Sequence, residues 1–251
     1  MPRWYYEVGD IDKLDAQPET KYPALPVQSL SVKIARELEM RLERLVDGLS
    51  AALFRGRMHP VDLANRLTRF IDLNVEDGVE GPEIANQYVV GVNPAEIDPS
   101  MDLDRLAAEL ARVVTDVAAE NGWRIGGPIR VRISPDDKVA QGSISCEPKR
   151  SPGAVPPWSQ LIETAGGETH EVGDNRVILG RAADADVRIS HQRVSRHHAV
   201  LFREAGSVWI SDSNSANGTH VNEQRIGTKP AELRPGDIVS LGPTTFSLRL
   251  L

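Results

Sequence analysis

Four short motifs decide the fold of the second half of the chain: VILGR (177–181), VSRHHA (194–199), DSNSANGTHVN (212–222) and RPGDIVSLG (234–242). Between and around them, apolar runs rich in β-branched residues alternate with Asn-Gly and Pro-Gly-Asp turn elements. No run in this part of the chain carries a helical stripe of apolar residues. Many short strands at close spacing predict an all-β sandwich or barrel, in which the loops at one end carry the binding chemistry.

A cluster of arginines in these loops indicates an anionic ligand. Arg181, Arg188, Arg193 and Arg196 lie in one short stretch of a chain whose formal net charge is -7. The cluster therefore runs against the overall charge of the chain. A guanidinium presents a planar fork of donors that fits phosphate oxygens, and such charge-assisted hydrogen bonds are strong.

Other residues in the same loops have the chemistry to complete a phosphopeptide site. The Ser195 hydroxyl can donate to a phosphate oxygen, and Asn217 can both donate to and accept from an extended peptide backbone. Gly218 removes a side chain where the backbone turns or a ligand approaches. The ordered set of motifs therefore favours recognition of a phosphorylated segment.

The four motifs together resemble the forkhead-associated (FHA) domain, a β-sandwich that binds phosphothreonine in partner proteins. The resemblance implies that Arg181 and Ser195 hold the phosphate, that Arg196 assists, and that Asn217 fixes the peptide backbone. Structural support of the site is expected from three further residues, Gly180, His198 and Gly218. In the family pattern His198 braces the loop without touching phosphate, and His197 is its exposed neighbour.

One residue departs from the family pattern. Many FHA domains have Thr or Ser before the Asn-Gly pair, where its hydroxyl adds a phosphate contact, but this chain has Ala216. The contact is lost unless Ser213 or Ser215 supplies it, and Arg196 could compensate by facing the phosphate. The departure predicts lower affinity than in the best-endowed members of the family.

Composition narrows the class of protein further. The 251 residues are 40% hydrophobic, which is enough for one large or two small packed domains. Cys146 is the only cysteine, so an intrachain disulfide or a cysteine-cluster metal site is excluded. No apolar run reaches membrane-spanning length, and the first residues lack an apolar signal core. These features predict a cytoplasmic protein without membrane insertion, and the acidic balance disfavours nucleic acid as a partner.

The chain divides into four predicted parts: a flexible N-terminal arm (1–28), an α/β domain (29–147), a proline-rich linker (148–160) and the FHA domain (161–251). The predicted fold class is an α+β N-terminal domain, with element order α-α-β-α-β-β, plus an all-β sandwich. The first helix is predicted from leucines at three- and four-residue spacing between Leu38 and Leu53, and the second opens at Pro60. Asp102 or Asp104 is expected to cap the third helix.

The N-terminal domain also resembles a known domain. The stretches that carry the resemblance are RLERLVDG (41–48), FRGR (54–57), YVVG (88–91), Gly122-Trp123 and Gly127-Pro128. They resemble a domain of unknown function that precedes FHA in an actinobacterial group. The resemblance implies an adaptor of Ser/Thr kinase signalling that regulates cell-wall synthesis or cell division. Its partners would be phosphothreonine-containing proteins: a Ser/Thr kinase, a pseudokinase or a kinase substrate.

The sequence contains no signature of an enzyme. No zinc-protease motif, Walker A loop, nucleophile elbow or dinucleotide fingerprint occurs, so neither catalytic residues nor a cofactor are predicted. His191, His197 and His198 could in principle bind a metal ion, but no carboxylate or thiol completes a set at ligand spacing, and none is predicted.

Two other functions remain open for the N-terminal domain, and in both the FHA domain would be a secondary anion-binding module. The domain could bind RNA, since Arg130 and Arg132 lie on one face of a predicted strand, although the backbone clamp and paired aromatics of common RNA-binding folds are absent. It could instead form a homo-oligomer, because a stripe of leucines can face either its own core or a partner.

Overall fold

The computed structural model describes residues 59–78, 81–99, 101–227 and 229–251. The chain divides into two compact units, the first comprising Met1–Val75, Ala85–Val117 and Ile129–Ser151, and the second Glu76–Ile84, Ala118–Pro128 and Pro152–Leu251. The predicted arm (1–28) and the predicted first helix lie outside the described residues. The predicted α/β domain (29–147) thus contributes two of its stretches to the second unit.

The first unit contains helix α1 (Pro60–Asp72), which begins where the sequence places it. Pro60 occupies the first turn, where a missing N–H costs nothing. The side chain of His59 accepts a hydrogen bond from the backbone N–H of Val61 at 3.4 Å and caps the helix. Its apolar face is buried through Leu63, Ala64, Leu67, Phe70 and Ile71.

The described part of this unit also contains a three-stranded sheet, most of helix α2 (Leu103–Glu120) and a short 3-10 turn (Pro94–Glu96). Strand β3 (Gln87–Val92) lies at the centre, paired in parallel with β4 (Arg130–Pro135) and antiparallel with β5 (Ile144–Lys149). The Asp102 carboxylate accepts from the backbone N–H of Arg105 at 2.9 Å, so Asp102 caps α2. The predicted α/β character of the N-terminal region is confirmed.

The second unit includes a hairpin that the sequence pattern did not predict. Strand β1 (Glu76–Gly78) pairs antiparallel with β2 (Gly81–Glu83). Each strand has three residues, which is too short to show an alternation of apolar and polar side chains.

Two sheets, in which most neighbouring strands are antiparallel, make up the C-terminal sandwich of this unit. Its strands are β6 (Ser159–Glu163), β7 (Thr169–Val172), β8 (Arg176–Gly180), β9 (Val187–Arg188), β10 (Ala199–Glu204), β11 (Ser207–Asp212), β12 (Thr219–Val221), β13 (Gln224–Arg225), β14 (Ala231–Leu233), β15 (Ile238–Leu241) and β16 (Thr244–Leu250). One sheet has the order β14-β11-β10-β8-β9, and the other has the order β13-β12-β15-β16-β6-β7. The predicted all-β sandwich is confirmed.

The core of the sandwich is built from alternate residues of both sheets. Leu179, Leu201 and Ile210 come from the first sheet, and Leu241 and Phe246 come from the second. Each of these side chains is at most 1% exposed. The predicted site residues Arg181, Ser195, Arg196 and Asn217 lie in the loops that connect these strands.

The helices within the described residues include none that combines the length and the apolar character needed to cross a membrane.

Candidate functional site

An open depression of about 600 Å³ lies where the loop after β8 meets the loop before β10. Its lining residues are Arg181, Ala182, Asp184, Ser195, Arg196 and His197. Three of the four residues that the sequence predicts to bind a phosphopeptide, Arg181, Ser195 and Arg196, therefore lie together. The fourth, Asn217, does not line the depression, but its side-chain amide donates to the carbonyl of Arg193, two residues before Ser195.

Backbone hydrogen bonds fix the position of Arg181. Its N–H donates to the carbonyl of Ser195 at 3.0 Å, and the N–H of Ala182 donates to the carbonyl of Arg196 at 3.1 Å. Residue Arg181 is exposed, and within the described residues no hydrogen bond or ion pair engages its guanidinium. The fork of donors is thus held at the depression by its backbone and is free to meet an anion.

Gly180 is required by this close approach of two loops. A Cβ atom at position 180 would overlap the carbonyl oxygen of Arg196 and approach the Cα of His197. Any side chain would push the Arg196 segment away and break the bonds that position Arg181. Crowding therefore explains the glycine, since its φ is not in the left-handed region.

His198 links the Ser195 loop to the Asn217–Gly218 turn. Its side chain is fully buried, and Nδ1 accepts from the backbone N–H of Ser195 at 3.0 Å. Nδ1 therefore carries no proton, and Nε2 donates to the carbonyl of Gly218 at 3.2 Å. Burial lowers the pKa of His198 and outweighs the opposing effects of the Gly218 hydrogen bond and the Asp212 charge, so the neutral ring is favoured.

The Asn-Gly turn lies against the same loop. The Asn217 amide donates to the carbonyl of Arg193 at 2.6 Å, and the Ala216 N–H donates to the Ser195 hydroxyl at 3.1 Å. The latter bond uses the acceptor capacity of Ser195 and leaves its O–H available to donate to a ligand. Gly218 has a φ of +76°, and a Cβ there would lie 2.5 Å from Nε of Arg225.

The structure bears on Ser215, one of the two serines that could replace the contact missing at Ala216. Ser215 is 8% exposed, and its hydroxyl donates to the Asp212 carboxylate at 2.5 Å. Thr219 donates to the same oxygen at 2.7 Å. Although burial raises the pKa of Asp212, these hydrogen bonds outweigh it and keep the pKa below its usual range. Ser215 is therefore engaged with Asp212, while Ala216 itself is exposed.

Asp184 and His197 are two lining residues that the sequence reasoning did not assign to the site. His197 Nε2 lies 3.2 Å from the carboxylate of Asp184. The hydrogen bond from His197 is the largest cause that lowers the pKa of Asp184. The position of Asp184, three residues after Arg181 in a turn-rich loop, was the available signal, but a lone carboxylate there has no distinctive pattern.

Two domain families match the chain. The model of the FHA domain matches residues 177–242, and the model of the FhaA N-terminal domain matches residues 36–147. Both are binding modules rather than enzymes. The fold and the site thus define an FHA-domain protein. More narrowly, the chain belongs with the FhaA-like proteins, in which an FhaA N-terminal domain precedes a C-terminal FHA domain.

Similar proteins of known sequence include two from Mycobacterium tuberculosis. An ABC transporter ATP-binding/permease protein of Mycobacterium tuberculosis is 42% identical over 74 residues, which are 30% of this chain and 8% of that protein. The FHA domain-containing protein FhaA of the same organism is 29% identical over 89 residues, 36% of this chain and 16% of that protein. The matched part thus spans less than a fifth of either relative.

Solved FHA domains match the same third of the chain. The FhaA FHA domain, solved in complex with the intracellular domain of Rv3910, is 29% identical with a TM-score of 0.34, covering 36% of this chain and 99% of that one. The FHA domain of CT664 from Chlamydia trachomatis is 30% identical with a TM-score of 0.34, covering 36% of this chain and 95% of that one.

Proposed function

We propose that this protein is a phosphothreonine-dependent adaptor in Ser/Thr kinase signalling. The observation that carries the proposal is the depression in which the exposed Arg181 guanidinium stands beside the Ser195 hydroxyl and Arg196. FHA domains recognise phosphorylated motifs, and clusters of arginine are the usual chemistry for that task.

Each residue of the site has a proposed role. Arg181 forms a bidentate pair with two phosphate oxygens, and the Ser195 hydroxyl donates to a phosphate oxygen. Arg196 adds a second positive charge at the same depression. Asn217 holds the backbone of the bound segment. Its side-chain N–H would then donate to a peptide carbonyl in place of the Arg193 carbonyl, or its side-chain oxygen would accept from a peptide N–H. Gly180, His198 and Gly218 keep the two loops in place.

The partner would be a phosphothreonine-containing protein, namely a Ser/Thr kinase, a pseudokinase or a kinase substrate. Phosphorylation supplies the charge that the depression reads, so kinase and phosphatase activity would set its occupancy. The resemblance of both domains to FhaA supports a place in the regulation of cell-wall synthesis or cell division. The cytoplasmic location predicted from the sequence is part of the same proposal.

A pull-down experiment with the full chain tests this function. Wild-type protein, Arg181→Ala and the control Arg188→Ala are each incubated with lysate that has or has not been treated with phosphatase. Arg188 is exposed on β9 but does not line the depression. Retained proteins should carry phosphothreonine, and both phosphatase and Arg181→Ala should release them while Arg188→Ala does not. Equal retention by wild type and Arg181→Ala would refute the proposal.

A further inference from the structure

The segment of residues 118–128 is attached to the C-terminal sandwich within the second unit. Several hydrogen bonds besides those of Arg124 attach it. Arg176 Nε donates to the Gly122 carbonyl (3.0 Å), and the Ala205 N–H donates to the Glu120 carbonyl (2.9 Å). The N–H groups of Ile125 (2.9 Å) and Gly126 (2.7 Å) donate to the Asp174 carboxylate. Trp123 and Ile125 are buried. The segment is therefore a built part of this unit.

Arg124, at the middle of the segment, forms a bidentate ion pair with Asp186. Its Nη2 donates to Oδ1 at 2.6 Å, and its Nη1 donates to Oδ2 at 2.9 Å. The same Nη1 donates to the carbonyl of Arg176 at 2.6 Å. The side chains are 27% and 25% exposed, so solvent screens the pair only in part. Burial lowers the pKa of Arg124, but the hydrogen bond and the charge of Asp186 outweigh it and raise the pKa above its ordinary value.

Asp186 closes the loop that presents Arg181. This Arg181 loop, residues 181–186, leaves β8 and enters β9, and these two strands are paired in parallel. The Asp186 carboxylate also accepts from the backbone N–H of Ile178 in β8 at 2.7 Å. The carboxylate thus ties the end of the loop to the strand from which the loop starts.

The start of the Arg181 loop is held on the opposite side. The N–H groups of Arg181 and Ala182 donate to the carbonyls of Ser195 and Arg196, as described above, and a turn within the loop joins Ala185 to Ala182. One end of the loop therefore depends on the Ser195 loop and the other end on Asp186. A partly buried carboxylate that loses its cation is destabilised, so Arg124 stabilises the arrangement at the second end.

We propose that Arg124 is a positioning residue for the phosphate-binding Arg181 loop and acts through Asp186. Arg124 lies in the stretch that matches the FhaA N-terminal domain, whereas Asp186 lies in the stretch that matches the FHA domain. A residue outside the FHA match thus sets the geometry of the FHA ligand loop. The inference rests on the proposed function for the ligand and on the loop geometry for the mechanism.

The first arm of the test measures the loop without ligand, by NMR hydrogen exchange on the full chain. The amides of Ile178, Ala182 and Ala185 report directly on the loop, because each donates one of the hydrogen bonds described. Arg124→Ala and Asp186→Asn should speed their exchange. Arg124→Lys should restore protection in part, since an ammonium keeps the charge but cannot make the bidentate pair.

The second arm measures affinity by calorimetry, with a phosphothreonine peptide selected on the wild type from a randomised phosphothreonine library. Arg124→Ala should weaken binding about two- to thirtyfold, which is the range found for residues that modulate a site without contacting its ligand. The double variant Arg124→Ala/Asp186→Asn should bind no more weakly than Asp186→Asn alone, because Arg124 acts only through Asp186.

Two controls separate positioning from general loosening. Arg112→Ala removes an arginine from an exposed ion pair with Glu109 on α2. Asp174→Ala frees another attachment of the segment without touching Asp186. Both should leave loop exchange and affinity near wild type. If Asp174→Ala changed them as much as Arg124→Ala does, the inference would be overturned.

The inference would also be overturned by unchanged exchange and affinity in Arg124→Ala, or in Arg124→Lys and Asp186→Asn if the alanine variant does not fold. If the wild type bound no phosphothreonine peptide, the proposed function would be refuted. The hydrogen-exchange measurements need no ligand and would still test the role of Arg124.

Discussion

Arginines serve opposite purposes in two regions of the second unit. At the depression the Arg181 guanidinium is exposed, and no described residue pairs with it. Where the 118–128 segment meets strand β8, Arg176 is buried and Arg124 is partly buried, and their donors are bonded to carbonyls and a carboxylate. An arginine with a fixed backbone and free donors is prepared for a ligand, whereas one with satisfied donors contributes to the fold.

This contrast explains why the number of charges alone does not locate a site. Arg188 and Arg193 belong to the same cluster in the sequence, yet neither lines the depression. What distinguishes Arg181 is the pair of backbone hydrogen bonds that joins its loop to the Ser195 loop, together with a glycine before it. These two roles of arginine can be tested by removing one arginine of each kind and measuring binding and stability separately.

The largest expected effect is on binding in Arg181→Ala. Loss of a bidentate charge-assisted contact costs about 2–5 kcal/mol when one partner is removed. The melting temperature should stay within about 2 °C of wild type, because the guanidinium makes no contact that folding needs. Calorimetry with a phosphothreonine peptide and a thermal melt check the two halves of this prediction. Arg188→Ala serves as the matched control, and undiminished affinity in Arg181→Ala would show that the site is misassigned.

Arg176→Met should show the reverse pattern. Residue Arg176 is 9% exposed, its guanidinium carbon lies 4.2 Å from the ring centroid of Phe202, and Nε donates to the Gly122 carbonyl. Losing these contacts should cost about 2–4 kcal/mol of unfolding free energy, measured by urea denaturation. The affinity of the folded protein for the peptide should change little. Arg249→Met, at an exposed position, is the control. If Arg176→Met were as stable as wild type, Arg176 would not stabilise the fold.

His198 belongs to both regions of the comparison, because it is buried and also braces the ligand loops. His198→Ala leaves the Ser195 N–H and the Gly218 carbonyl without their partner, which should cost about 1–3 kcal/mol of stability and should also weaken peptide binding. Urea denaturation and calorimetry measure the two effects. Lost binding with unchanged stability would instead make His198 a ligand contact. The exposed His191→Ala should change neither.

The pKa of His198 also gives this effect a pH dependence. Because the folded-state pKa is lowered, the unfolded chain takes up a proton more readily. The stabilising contribution of the neutral ring is therefore fully present above the unfolded pKa, about 6.5, and decreases as the pH falls below it. The stability difference between wild type and His198→Ala should shrink from pH 8 to pH 5. A difference that stays constant over this range would argue against a neutral, buried ring.

The depression could be predicted largely because its residues lie in local motifs. Gly180 and Arg181 end one strand, Ser195 and His198 precede another, and the turn chemistry of the Asn-Gly pair is written in adjacent residues. The apolar runs between them also identified the main strands of the sandwich. Such patterns can be read from the sequence because each strand and turn is determined mainly by the residues within it.

The contacts of the 118–128 segment could not be predicted in this way. Arg124 and Asp186 are 62 positions apart, and neither belongs to a motif that marks a pair. The same applies to Arg176, which precedes the apolar run of residues 177–179 and has no neighbour in the sequence that indicates its partners. The pairing of Asp184 with His197 depends on two loops that meet only in the folded chain. Non-local partners of single charged residues leave no periodic signal.

The smallest predicted effect is also the one that separates phosphothreonine reading from general anion binding. Phosphoserine and phosphothreonine carry the same charge, so an arginine cluster alone would bind both about equally. The threonine methyl is worth about 0.8 kcal/mol when buried, or about fourfold in affinity, and more if an empty niche is left behind. The exposed Ala216 lies at the join between the Ser195 and Asn217 loops, where its N–H donates to the Ser195 hydroxyl, and it adds no bulk that would close such a niche. Calorimetry on three matched peptides should therefore rank phosphothreonine above phosphoserine, with no measurable binding of the unphosphorylated form. Equal affinity for the two phosphopeptides would reduce the depression to a general anion site.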